Sequence, residues 1–304
     1  MNVRFGTLLC FLARGGGRSS HVVMPLRLLL APVAVAVALP ASAQTAAPIA
    51  AGPSYADLAD LVLAAPVIAD ATIRSTAKLK AADAVGVPTG NQRLYVEANV
   101  EALVRGAGGL PPRIGYLLDV ALDARGRTPS LKKARVLLFA RATAVPGQLQ
   151  LVAPDAQLPW SADTDARVRR IAKEALGAEA PPRITGVGNA FHVAGALPGE
   201  GETQVFLQTT DGRPVSLSVL RRPGERPRWA VALSEIVDEA AAPPPRDTLL
   251  WYRLACSLPA RLPERSTADI SPTDAAAAQD DYRFVLGQLG PCGRTRATAG
   301  AAPA

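Results

Sequence analysis

The chain has 304 residues, 49% of them hydrophobic, with 33 Lys and Arg against 26 Asp and Glu, a formal net charge of +7. That apolar content supports one large core or two modest ones and excludes a wholly disordered chain. Three cysteines and two histidines are too few to favour a zinc centre.

Residues 1–23 contain only a brief hydrophobic run, Phe5 to Leu12, followed by three glycines, and read as a mis-assigned extension ahead of a true start at Met24. Residues 24–43, MPLRLLLAPVAVAVALPASA, follow the pattern of a cleaved signal peptide. A basic start at Arg27 precedes an apolar stretch, and Ala41-Ser42-Ala43 supplies the small-x-small site, with cleavage between Ala43 and Gln44. The stretch is short and broken by Pro32, whereas a membrane span needs about 20 apolar residues, so no stable span is expected after cleavage. The alternative is an uncleaved N-terminal anchor. Arg4, Arg14, Arg18 and Arg27 leave with the leader, which contains no acid, so 29 basic residues face 26 acidic ones from Gln44 onward, +3. This dispersed excess, with few aromatics, argues against a nucleic-acid partner.

Residues 44–53 form an Ala- and Pro-rich lead-in. Ser54 is placed to cap a helix over YADLADLVLAAP. From Val67 the period becomes two, giving one long strand to Leu79 and a second from Leu94 to Val104. Ile114–Ala121 and Arg135–Thr143 read as further strands, and Pro146-Gly147 turns the latter into Gln148–Val152. Five strands in this order, then a helix over 161–176 with Val168, Ile171, Ala172, Ala175 and Leu176 on one face, predict an OB-like small barrel with a closing helix over 54–176. Residues 177–183 are the expected linker. Residues 184–294 predict a four-stranded β-meander, with Asp211-Gly212 marking one hairpin, then helices from Asp247 and from Ser271-Pro272. The fold class is thus α+β, mainly antiparallel β. Residues 295–304 read as a disordered tail.

Once the leader is removed, Cys256 and Cys292 remain, and in an oxidising compartment they pair most simply as a disulfide joining the two last helices. The alternatives, a redox pair or a metal site, lack the short spacing or the further ligands.

His192 is the one histidine beyond the leader, so any triad must use it. A structural role is the ordinary reading; the catalytic one makes His192 a general base oriented by Glu200, Glu202 or Asp238. Glu200, Glu202, Glu235 and Asp238 also allow paired carboxylates, with solvated surface acids as the simpler reading. Asp155, Asp163 and Asp165 lack the rest of a calcium loop, and Gly186-Val187-Gly188-Asn189 lacks the third glycine of a dinucleotide site. No nucleophile elbow or Walker sequence occurs, and no metal or cofactor is called for. Trp160, Trp229 and Trp251 read as core anchors, with a binding surface as the sharper alternative.

The runs GVGNAFHVAGALPGEGETQVFLQT, PRWAVALSEIVDEA and RDTLLWYRLAC resemble those of uncharacterised secreted proteins of alphaproteobacteria. The resemblance implies export and brings no activity or site residue. The reading is an exported, periplasmic or secreted, non-catalytic envelope protein that binds a protein, peptide or glycan partner. A periplasmic hydrolase centred on His192 and a structural or assembly factor are the alternatives. Intact-mass analysis of the exported protein is expected to give a chain starting at Gln44 that gains the mass of two hydrogens on reduction; a retained leader or free thiols would overturn both readings.

Overall fold

The computed structural model describes residues 52–234 and 241–296, so the leader, Ala43, Gln44, Glu235, Asp238 and tail residues 297–304 lie outside the described residues. Helix α1 (Tyr55–Ala64) opens on a complete capping box: Ser54 Oγ accepts from the Asp57 amide while Asp57 Oδ2 accepts from the Ser54 amide. Both groups would otherwise be unpaired helix-end donors. The helix ends where Ala65, forced into an extended conformation, precedes Pro66.

Strand β1 (Val67–Lys78) pairs antiparallel on one edge with β2 (Asn91–Arg105) and on the other with β4 (Arg135–Ala142). β2 pairs with β3 (Arg113–Ala121), β3 runs parallel to β5 (Gln148–Leu151), and β5 pairs antiparallel with β4. The order β1-β2-β3-β5-β4 returns to β1, which closes an OB-like five-stranded barrel. Three register shifts between β1 and β2 bend these long strands around the closure. A sixth strand, β6 (Gln157–Pro159), adds to β4; the sequence pattern does not predict it, because three residues give no periodicity.

Alternation sorts the strand residues into two cores. Ile73, Val96, Ile114, Leu118, Val136 and Leu138 fill the barrel. Ile68, Leu137 and Phe139 point outward into a second core that contains α1 and α2 (Ala162–Leu176), which is capped by Ser161. α2 buries Val168, Ile171 and Ala172 there as predicted, whereas Leu176 on the last turn is exposed.

The meander is as expected: β7 (Ile184–Ala194), β8 (Gly201–Thr209), β9 (Val215–Arg221) and β10 (Arg228–Ala232) in consecutive antiparallel order. Its inner face sets Val187, Val205, Leu217 and Trp229 into the same core as α1 and α2, so side chains before and after residues 177–183 pack in one cluster. Helices α3 (Leu249–Ala255) and α4 (Pro272–Leu289) complete it, and Cys256 at the end of α3 is bonded to Cys292 just beyond α4. In the chain-entropy model a loop of that length is worth about 3–4 kcal/mol. Trp229 and Trp251 are core residues, while half-buried Trp160 lies under the Arg135 guanidinium, 3.8 Å from its centroid. No helix among the described residues is long and apolar enough to cross a membrane.

One expectation from composition needs correction. Thr295 and Arg296, read as the start of a disordered tail, are held against α1. Asp57 accepts from the Thr295 hydroxyl and from both backbone amides, and the preceding Arg294 grips Asp60 through two nitrogens at 2.5 and 2.9 Å. Composition could not reveal this, because the partners are carboxylates more than two hundred residues away. Burial alone would raise the Asp57 pKa, but the hydrogen bonds from Thr295, Arg296 and Ser54 outweigh it and hold the carboxyl at about 2. The folded state therefore binds this proton less tightly than the unfolded chain, whose reference value is 3.8. The contribution is complete above about pH 4 and is lost as pH falls toward about 2. Asp57→Ala is expected to cost about 1–3 kcal/mol in urea denaturation, since several part-buried donors lose a charged acceptor, and to flatten the acid limb of stability between about pH 4 and 2.

Candidate functional site

The barrel wall is not uniformly sealed. β3 and β5 pair over two positions, Gly115 with Gln148 and Tyr116 with Leu149. Beyond them β3 continues to Ala121 with no strand on the side away from β2 among the described residues. The Val100 amide donates to Pro112 and the Leu122 amide to Gly90, which fixes the phase of the ladder. Even-numbered residues of β3 turn their peptide groups toward β2, so those of Asp119 and Ala121 face the opening.

A cavity of about 580 Å³ lies in this split. Leu117, 48% exposed, and Asp119 form one wall, Gln150 to Pro154 the other, and Tyr116 and Leu149 the floor. Tyr116 donates its hydroxyl proton to Gln157 Oε1 at 2.6 Å, and burial pushes its pKa above the usual phenol range. Arg93 clasps Asp119 through two nitrogens at 2.7 and 2.8 Å, which raises the arginine further and fixes the carboxylate at the rim.

A second cavity of about 180 Å³ adjoins the first along the outer face of β2 and β3, bordered by Arg74, Glu97, Asn99, Arg113 and the Pro146-Gly147 turn. Gln148 lines both. At that waist its Nε2 donates to Tyr95 Oη at 2.7 Å. The phenol end lies over Gly115 where a side chain would stand, 2.1 Å from the position of a Cβ there. Gly115 is thus a glycine because Tyr95 lies across it. Together the two hollows, which meet at Gln148, make one surface groove over β2, β3 and β5.

The sequence-predicted site residues lie elsewhere. His192 is on β7 facing α4, opposite Thr203. Its Nδ1 is 2.8 Å from Thr203 Oγ1, and that hydroxyl donates its one proton to Asp281 Oδ2 at 2.5 Å. The hydroxyl oxygen therefore accepts from Nδ1–H. Arg221 reaches the other Asp281 oxygen at 2.5 Å, balancing a carboxylate that has no exposure at all. Neither Glu200 nor Glu202 takes part, and Asp238 lies outside the described residues. Glu200 folds over Gly195 and accepts from the Leu197 amide, holding the β7–β8 turn. Glu202 pairs in register with Val193 on the opposite face of the sheet and accepts from Gln204. His192 does not line the groove. The acid behind it, Asp281, was missed, although a carboxylate between Ala278, Tyr282 and Val285 on the apolar stripe of a helix is a readable signal. Among the described residues no group of three or more His, Cys, Asp or Glu converges to hold a metal.

No family model matches the chain, and no curated protein matches it. The buried cluster carries a clear expectation for stability. Thr203→Val keeps the shape but strands His192 Nδ1–H and Asp281 Oδ2, and should cost about 2–4 kcal/mol by thermal or urea denaturation. Glu202→Gln, on the solvated face, should stay within about 0.5 kcal/mol of the parent.

Proposed function

We propose that this is an exported, non-catalytic envelope protein that holds an extended polypeptide segment in the barrel groove, by adding it as a strand to the free edge of β3. One observation carries the reading: beyond Tyr116 the edge of β3 away from β2 has no partner strand among the described residues, and the peptide group of Asp119 there faces an open cavity. An unpaired edge is a template for a further strand, and main-chain hydrogen bonds then supply affinity while flanking hollows select side chains. The Cys256–Cys292 bond supports an oxidising compartment, and the leader at residues 24–43 supports export.

The test uses the full chain and ten-residue peptides of alternating apolar and polar residues, read by amide hydrogen exchange. Binding is expected to slow exchange at residues 117–121 of β3. The same peptide N-methylated at every residue, so that neither edge can pair, should lose binding by at least about tenfold. Equal binding of the N-methylated peptide, or protection confined to residues outside the groove, would sink strand addition.

A further inference from the structure

We infer that the segment held in the groove is acidic, its carboxylates taken up by Arg74 and Arg113 while its backbone pairs with β3. This rests on the groove being a polypeptide site and names the chemistry of its occupant.

The net +3 from residue 44 onward conceals an asymmetry. Residues 67–142, which make β1 to β4, contain twelve Lys or Arg against six Asp or Glu, whereas the rest from residue 44 contains 17 against 20. The whole positive excess is therefore on the barrel. A surface with one sign of charge attracts and orients a partner of the other before contact.

Within the groove the charge is placed at one end. Arg93 is already neutralised by Asp119 in the larger hollow. In the smaller one, Arg74 and Arg113 are exposed and have no ion-pair partner among the described residues. The one acid lining that hollow, Glu97, accepts a 2.6 Å hydrogen bond from Ser75 Oγ. Asn99 and the shared Gln148 add amide groups beside them, which suit a carboxylate's remaining lone pairs.

The spacing is compatible with a single ligand. From Arg113 to Asp119 along β3 is about 20 Å at the usual rise per residue. An extended segment of eight or so residues can thus place an acidic side chain between the two arginines and still reach the free peptide groups of β3. Its route crosses the waist over Gln148 and Tyr95, where Gly115 keeps the strand surface low. Exposed pairs are individually weak and are screened beyond about 8 Å at physiological salt, so selectivity should come from both arginines acting together.

The experiment compares fluorescein-labelled eight-residue peptides, valine alternating with glutamate, glutamine or lysine, by anisotropy with the full chain. The glutamate peptide is expected to bind at least about tenfold more tightly than the glutamine peptide, and the lysine peptide more weakly than either. Arg74→Gln and Arg113→Gln should each weaken the glutamate peptide about threefold, leave the glutamine peptide unchanged, and reduce the salt dependence. Arg261→Gln, which removes one charge outside the groove, should do none of this. Equal affinity of glutamate and glutamine peptides, with exchange still slowed at 117–121, would overturn the acidic preference and leave the peptide groove standing. Failure of every peptide would overturn both. Displacement of the glutamate peptide by polygalacturonate or single-stranded oligonucleotide at lower concentration than by unlabelled peptide would overturn the polypeptide identity in favour of another polyanion.

Discussion

Strand β1 is paired along both edges from Ile68 to Thr72 and, over its first five residues, buried on both faces. Its inward residues, Ala71 and Ile73, belong to the barrel core, and its outward Ile68 belongs to the core shared by helices and meander. Every layer is referred to this strand. The same double burial traps Asp70, which is 1% exposed. A buried carboxylate is tolerated only when paired, and Arg135 of the neighbouring strand meets both oxygens while its guanidinium lies over the Trp160 ring. That contact helps to hold the chain leading from β6 into α2. The barrel closure, a buried charge and the seat of the helix are one arrangement.

Elements with a strong period were legible in the sequence. The switch at Val67 from helical spacing to alternation marked the end of α1 and start of β1, and Pro146-Gly147, Asp211-Gly212 and Ser271-Pro272 marked turns and a helix start by local chemistry alone. What alternation cannot show is which edges meet. The β1–β4 closure and the parallel β3–β5 contact depend on pairing between strands far apart in sequence. The groove exists because that last pairing stops after two positions, and nothing local to β3 or β5 announces it. His192 stands out in the sequence as the one histidine beyond the leader, whereas the carboxylate behind it, Asp281, is one acid among many and interrupts the apolar stripe of a helix.

The two polar arrangements of the molecule are built to opposite ends. Asp281, Thr203, His192 and Arg221 satisfy one another inside the packing of α4 on the meander, and such a closed set fixes how helix and sheet meet. In the barrel groove, peptide groups of β3 and two arginines face open space without partners among the described residues. Satisfied groups hold an architecture in place; unsatisfied ones at a surface are free to take a ligand. The disulfide sits with the first kind, clamping α3 to the end of α4 against the shared core.

The grip of Asp57 on Thr295 and Arg296 spans 238 and 239 residues of sequence. Contacts of such long range are the slowest to form and add nothing until the intervening chain has been ordered. Synthesis from the N-terminus makes α1 available long before the partners of Asp57. During that interval the first helix of the fold has its acids in place and their donors still to come. Closure of that helix end therefore waits on the far part of the chain, so a chain cut short between the two would present an unfinished helix end rather than a completed fold.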